Sequence, residues 1–260
     1  MMIHKLFGER RLTTLNLNLH QTIEKANITK LLFIRHGQTA PIPDTGLDYD
    51  RVLTDMGRTQ AKRSGEIFGK NLQPYFSPAL VSPAPRTMET AQLFLAASTA
   101  VVDESDNDSS VEEIEFLPVN SLYDGTQHPK GDLLFQKLGY APLRDYLENE
   151  NEQMKDNARL VLGNYAENII ESIIKTIESS TAIENGSNDI EKTLLIAAHA
   201  IYLPAAALGV ASLLGCDNNS SSSSSLPSPS MEVILSTNTK EVEGYLIDAK
   251  NHSVRYLSRD

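Results

Sequence analysis

The 260-residue sequence contains a single cysteine, Cys216. One thiol excludes an intrachain disulfide and is too few for a zinc site built from cysteines. Because Cys216 follows an apolar stretch, we interpret it as a small buried side chain rather than a reactive thiol. A chain without disulfides favours a reducing, intracellular compartment, with the cytoplasm as the first expectation and an organelle as the alternative.

Basic residues are also in short supply. The chain has 23 Lys and Arg against 34 Asp and Glu, which gives a net charge of −11. A field of this sign repels nucleic-acid backbones and anionic membranes, so we expect neither as a partner. An anionic small molecule must instead be held by a local cluster of positive side chains and backbone N–H groups.

Long hydrophobic runs are absent as well. Residues 1–27 lack the apolar core of a signal peptide, although Lys5, Arg10 and Arg11 would suit an organellar presequence. We treat these residues as an N-terminal extension. Residues 193–214 are apolar but interrupted by polar side chains and a proline, which indicates a buried strand and a buried helix rather than a membrane span.

Apolar runs alternate with amphipathic segments along the rest of the chain, which is typical of an α/β domain. We predict a single domain over residues 28–260, built as a three-layer α/β/α sandwich around a mostly parallel sheet. A Ser/Pro-rich tract at about 217–230 cannot bury enough apolar surface to order itself, so we interpret it as an insertion.

The pattern also predicts the individual elements. Thr54 is the expected N-cap of the first helix after the leading strand. Helices are predicted from that cap to about residue 70 and over 85–97, 153–179 and 203–214. Strands are predicted over 30–34, 79–82, 112–117, 194–198, 231–235, 242–248 and 253–257, with an irregular region between 118 and 147.

The first buried strand ends abruptly in Arg35-His36-Gly37. Ligand sites of open α/β sheets lie at the carboxyl ends of such strands. A neutral imidazole is a nucleophile toward phosphorus, an arginine binds phosphate oxygens in a bidentate way, and a glycine lets the backbone come close. The triplet therefore suggests phosphoryl transfer, although on its own it is a weak signal.

Three further segments strengthen this signal. Residues 53–61 open the first helix, Arg86 lies where another strand meets a helix, and His199 ends the second buried strand. In this order and approximate separation, the motifs resemble the histidine phosphatase superfamily, also called phosphoglycerate mutase-like, over residues 29–215. The resemblance implies a phosphatase that forms a covalent phosphohistidine on His36.

The same resemblance implies roles for the neighbouring side chains. Arg35, Arg86 and His199 would hold the transferring phosphoryl oxygens, while Gln38 and Thr39 would add donors near the phosphate. The adjacent arginines would repel a divalent cation, so we expect no metal and no cofactor. The expected enzyme is a metal-independent hydrolase of the histidine acid phosphatase type that acts on a small phosphorylated substrate.

Alkyl phosphates also require a proton donor, because an alkoxide is a poor leaving group at neutral pH. The segment Leu122-Tyr123-Asp124-Gly125 resembles the Leu-x-Glu pattern that usually supplies this acid in the family, so Asp124 is the predicted donor. Glu113 and Glu115, in a predicted strand, are the alternatives.

The resemblance is weaker for the mutase members of the family, which usually carry Trp-Asn shortly after the triplet. Here Ala40-Pro41-Ile42-Pro43 follows instead, and the chain has no tryptophan, so mutase activity is disfavoured. Residues 50–54 resemble the small SixA-type phosphohistidine phosphatases. A SixA-type protein phosphatase and a non-catalytic relative that binds phosphorylated ligands therefore stay open as alternatives.

Overall fold

A computed structural model of the chain describes residues 9–99, 114–124, 129–180, 190–217 and 228–259. The strands in these residues are β1 (Ile28–Arg35), β2 (Ala79–Val81), β3 (Phe116–Pro118), β4 (Lys192–Ala198), β5 (Gly244–Asp248) and β6 (Ser253–Leu257). The α-helices are α1 (Glu9–Lys25), α2 (Asp55–Phe68), α3 (Pro85–Thr99), α4 (Ser121–Asp124), α5 (Pro129–Leu138), α6 (Leu143–Leu147), α7 (Glu152–Ser179), α8 (Leu203–Leu213) and α9 (Pro229–Ser236). Most of the predicted Ser/Pro-rich insertion lies outside the described residues.

The strands form one six-stranded sheet in the order β3-β2-β4-β1-β5-β6. β1, β2, β3 and β4 run parallel to one another, whereas β5 pairs antiparallel with both β1 and β6. The sheet is therefore mostly parallel, as predicted. Its central strands are continuous apolar runs because both of their faces are covered.

Alternate residues of β1 face two separate hydrophobic cores. Leu31 and Phe33 pack into the core formed with α1, α7, α8 and α9. Leu32 and Ile34 pack into the smaller core, to which α2 and α3 contribute. Since side chains alternate across a strand, these two cores lie on opposite faces of the sheet. The predicted three-layer α/β/α sandwich is confirmed.

The start of α2 follows directly from its sequence. Thr54 has extended backbone geometry, and its side chain accepts a hydrogen bond from the N–H of Gly57, as predicted for an N-cap. Pro85 occupies the first position of α3, where a missing N–H costs nothing. α3 begins shortly after the end of β2, and the start of α2 contacts the turn after β1, because the N–H of Thr54 donates to the carbonyl oxygen of Gln38. Both helices thus begin near the carboxyl ends of strands, which is where a ligand site is expected.

Two parts of the sequence-based prediction are wrong. Residues 231–235, predicted as a strand, belong to α9, which begins with Ser228 as its N-cap and Pro229 at its first position. Their short apolar run fits either structure, and the capping residues decide for the helix. The region between 118 and 147, predicted as irregular, contains α4, α5 and α6.

The N-terminal segment contributes to the same core. In α1, Leu15, Leu19 and Ile23 are buried, and Leu19 is fully covered among residues of α7 and α8. The packed structure thus includes residues well before residue 28, where the domain was predicted to begin. In the described part of the chain, the length and apolarity that a bilayer span requires are not combined in any helix.

Candidate active site

A cavity of about 590 Å³ opens at the carboxyl ends of β1 and β4. The predicted site residues that line it are Arg35, His36, Gln38, Thr39, Arg86 and His199. His36 follows β1, His199 follows β4, and Arg86 lies in the first turn of α3 after β2. Because β2, β4 and β1 are neighbours in the parallel sheet, residues far apart in the chain meet at one edge.

His36 is a buried, neutral imidazole. Its Nδ1 lies 2.8 Å from the carbonyl oxygen of Gly37. A carbonyl can only accept, so Nδ1 carries the proton and Nε2 carries the free lone pair. Burial, followed by the nearby charge of Arg35, lowers the pKa of His36 from 6.5 to about 3. At neutral pH this ring is in its nucleophilic form.

His199 lies beside His36, with a ring-centroid distance of 5.2 Å. Its Nδ1 is 3.4 Å from Nη2 of Arg86, which donates, and its Nε2 is 2.8 Å from the Ser82 hydroxyl oxygen. Nε2 therefore carries the proton of the neutral ring. Burial, followed by the effect of His36, holds the pKa of His199 well below its usual range. The second histidine is thus a fixed, uncharged neighbour of the first.

Arg86 is 3% exposed and is held by the loop between β1 and α2. Its Nη1 donates to the backbone oxygen of Asp48 at 2.6 Å, and its Nη2 lies 2.7 Å from the Asp48 carboxylate. The Asp48 carboxylate also contacts Arg51, at 3.3 Å. In the described residues, the buried Nε of Arg86 has no hydrogen-bond partner. This guanidinium is therefore fixed in place and retains an unused donor.

Arg35 is 7% exposed and is anchored by the segment that precedes β5. Its Nη1 donates to the carbonyl oxygen of Thr239 at 2.8 Å, and its Nη2 lies 3.7 Å from Glu241. The guanidinium also lies 4.8 Å from the ring centroid of Tyr140. Burial lowers the pKa of Arg35, and Glu241 opposes that effect. Arg35 and Arg86 together supply the local positive charge that the acidic chain requires for an anionic ligand.

The turn after His36 is fixed by main-chain contacts. A Cβ on Gly37 would lie 2.7 Å from the carbonyl oxygen of Gly57, and a Cβ on Gly57 would lie 2.2 Å from that of Gln38. The Gly37 N–H donates to the hydroxyl oxygen of Thr90 at 3.0 Å. The backbone of this turn therefore touches the start of α2 directly, which only glycine permits.

The predicted proton donors differ in where they lie. Asp124 ends α4, but its side chain is outside the described part of the structure, and Glu113 is also outside the described residues. Glu115 is exposed and immediately precedes β3. Since β3 runs parallel to β2, Glu115 lies at the end of the sheet opposite the cavity. The structure does not bring Glu115 to the site.

Several cavity residues were not predicted from the sequence. Asp48 begins a short 3₁₀ helix (Asp48–Asp50) and Arg51 follows it, in the connection between β1 and α2. Asp132 lies in the first turn of α5, within the region interpreted as irregular. Asp132 makes no ion pair with any described residue, unlike Asp48 and Glu241. The signal that could have located it is the helical pattern of α5, whose buried residues are Gly131 and Leu134.

Titratable side chains do not form a metal centre in the described ranges, where no group of three or more His, Cys, Asp or Glu is arranged to hold an ion. The positive charge of the cavity comes from three arginines and Lys240. Such an arrangement binds and orients an anion with several oxygens, as a phosphoryl group requires.

A comparison with known families matches the part of the chain that supplies several of these side chains. Residues 31–130 match the model of the histidine phosphatase superfamily (branch 1). This segment belongs to the histidine phosphatase superfamily. The match includes Arg35, His36 and Arg86, whereas His199 lies outside the matched residues. A comparison with curated proteins gives no significant match.

Solved structures with a related chain path include a phosphatase and a mutase. One is a mycobacterial glucosyl-3-phosphoglycerate phosphatase in complex with inorganic phosphate, at 13% identity and a TM-score of 0.48, covering 88% of this chain and 96% of that one. Another is a phosphoglycerate mutase from Bacillus anthracis, at 16% identity and a TM-score of 0.46, covering 91% and 96%. At these values the fold assignment rests on the layers and strand order described above.

Proposed function

We propose that the protein is a metal-independent phosphatase that hydrolyses a small phosphomonoester through a phosphohistidine on His36. The proposal rests on the protonation state of the His36 ring. Its Nδ1–H is committed to the Gly37 carbonyl, and its low pKa keeps Nε2 unprotonated beside two arginines. A buried neutral histidine among fixed cations is suited to attack phosphorus.

The reaction then has two steps. The Nε2 lone pair of His36 forms a bond to phosphorus, while the bond to the leaving oxygen breaks and that oxygen takes a proton. A water molecule next attacks phosphorus and gives a proton to the donor that ionised in the first step, while the bond between phosphorus and Nε2 breaks. Inorganic phosphate leaves and the neutral ring is restored. Arg35 and Arg86 would hold the phosphoryl oxygens, over which charge is spread in the transition state. His199 would join them by donating its Nε2–H to the phosphoryl group in place of Ser82. Gln38 and Thr39 line the same cavity and would supply further donors.

Asp124 is our first candidate for the proton donor. The ring of Tyr123, its neighbour in α4, lies 5.5 Å from that of His199, so the chain passes beside the site at this point. Asp132 is the second candidate, because it lines the cavity without an ion pair to any described residue. The asparagine variant of the true donor, Asp124→Asn or Asp132→Asn, should lose much more rate on alkyl than on aryl phosphates. An aryl oxide is a better leaving group and depends less on protonation. Equal losses on both would reject that residue.

The test is hydrolysis of para-nitrophenyl phosphate with EDTA present, from about pH 4.5 to about pH 8.5. Turnover should vanish in His36→Ala, and Arg86→Ala should lose about 3 kcal/mol of transition-state stabilisation, or about 100-fold in rate. His252→Asn is the matched control, because this histidine lies in the β5–β6 turn with φ 48°, a conformation that asparagine adopts readily. It should keep full activity.

Other outcomes favour the alternatives. A rate retained in His36→Ala would reject the covalent mechanism. Phosphate binding without turnover of any ester would favour a non-catalytic relative. Turnover confined to a phosphohistidine-bearing protein would favour the SixA-type activity.

A further inference from the structure

Two exposed aromatic side chains line the cavity that contains His36. Phe135 is 37% exposed and Tyr140 is 49% exposed. Their rings are nearly perpendicular, at 77°, with centroids 5.1 Å apart. We refer to them as the aromatic pair. Large apolar surface left open inside a cavity marks a binding surface, because burying it against a ligand is favourable.

The aromatic pair is held in place by the end of α5. Phe135 lies in the last turn of the helix, and the N–H of Gly139 donates to its carbonyl oxygen at 2.7 Å. Gly139 has φ 60°, so it reverses the chain and places Tyr140 directly after the helix. The carbonyl oxygen of Gly139 accepts a hydrogen bond from the buried hydroxyl of Tyr146. Both rings are therefore presented by a defined helix-terminating turn.

The aromatic pair also adjoins the phosphate-binding residues. The guanidinium carbon of Arg35 lies 4.8 Å from the ring centroid of Tyr140. Arg35 directly precedes the nucleophile, His36. When a phosphoryl group is bound by Arg35 and attacked by His36, the group attached to it lies in the same cavity as the aromatic pair.

The size and charge of the cavity narrow the class of leaving group. At about 590 Å³ the cavity falls within the range of pockets for small organic molecules, so a phosphoryl group alone leaves most of it empty. Among the described residues, the charged side chains that line it are Arg35, Arg51, Arg86, Lys240, Asp48, Asp132 and Glu241, a balance of one positive charge. The two negative charges of a phosphate dianion already outnumber the net positive charge of the lining residues. A second anionic group on the substrate would therefore have no positive charge left to compensate it.

We infer that the substrate is a phosphomonoester whose leaving group is flat, apolar and without a second anion, and that the aromatic pair determines this specificity. The inference rests on the phosphatase function proposed above. It assigns to Phe135 and Tyr140 the recognition of the leaving group, separate from the recognition of phosphate by the arginines.

The test compares substrates of equal chemical reactivity. Ethyl phosphate and 2-(1-naphthyl)ethyl phosphate both release a primary alcohol, so a difference in kcat/KM reports recognition of the ring. The wild-type protein should prefer the naphthyl ester by tenfold or more. Phe135→Ala should reduce that preference by about tenfold, the value of one lost aromatic contact. Ki values for methylphosphonate and naphthylmethylphosphonate, which cannot be hydrolysed, should show the same change.

Leu133→Ala is the matched control. Leu133 is 55% exposed on the same helix and is not among the described residues that line the cavity, so its removal should leave the preference unchanged. Turnover of both esters without a preference, or a preference that Phe135→Ala does not alter, would overturn the inference and leave the phosphatase function intact. Absence of turnover of every phosphomonoester in the wild-type protein would instead refute the proposed function.

Discussion

Replacing His36 with asparagine should make the folded protein less sensitive to acid. The folded state lowers the pKa of His36 from 6.5 to about 3. Between these two pH values the unfolded chain binds a proton at this position and the folded chain does not. The free energy of unfolding therefore falls as the pH falls, by about 1.4 kcal/mol per pH unit for each such histidine.

The size of the effect follows from the two pKa values. Integrating this dependence from pH 7 to pH 4.5 gives a loss of about 2–3 kcal/mol from His36 alone. Asparagine does not titrate, and its amide can still donate to the carbonyl oxygen of Gly37. His199 is present in both proteins, and burial, the larger cause of its lowered pKa, acts in both, so most of its contribution cancels in the comparison.

Urea unfolding followed by circular dichroism at the two pH values measures this difference. His36→Asn should retain about 2 kcal/mol more of its neutral-pH stability at pH 4.5 than the wild type does. Equal m-values are required for the comparison, because a change in m would indicate a different unfolded state or a loss of two-state behaviour. If both proteins lose the same free energy, the folded protein does not hold His36 unprotonated and the argument is refuted.

Two further predictions concern His36 and the contact between the turn that carries it and α2. Because the free protein keeps His36 unprotonated, kcat/KM should decrease with falling pH only as far as the ionisation of the substrate phosphate requires. A second decrease with an apparent pKa near 6.5, measured while the protein stays folded, would contradict this. Gly57→Ala should lower the free energy of unfolding by about 1–3 kcal/mol, since its Cβ would lie 2.2 Å from the carbonyl oxygen of Gln38. Urea unfolding measures that loss, and an unchanged midpoint would show that the two backbones separate easily.

The site could be predicted from the sequence where its residues follow buried strands. His36, Arg86 and His199 each lie just beyond a short apolar run, and parallel strands place such positions at one edge of a sheet. Their convergence therefore needed only the fold class. The positions of the other lining residues do not follow from the ends of buried strands, because these residues come from loops and from the short helix α5. They include Phe135, Tyr140, Asp48 and Asp132. Asp48, for example, lies in a connection that has no periodic pattern.

The fold errors have a similar physical origin. Residues 231–235 form an apolar run too short to distinguish a strand from a buried helix, and the decisive information lay before them in Ser228 and Pro229. The contribution of α1 was missed because residues 1–27 were compared only with targeting sequences. The spacing of Leu15, Leu19 and Ile23 places them on one helical face, which is the face that the core buries.

The direct contact between Gly37 and Gly57 affects how this protein tolerates change. The loop that carries the nucleophile rests on the backbone of α2, and its N–H groups are held by Thr90 and Gln60. Core side chains do not separate the two segments. Any side chain larger than a hydrogen atom at either glycine would force the two segments apart and displace the turn that carries His36. The position of the nucleophile relative to α2 is therefore set by main-chain contact rather than by the size of a packed side chain.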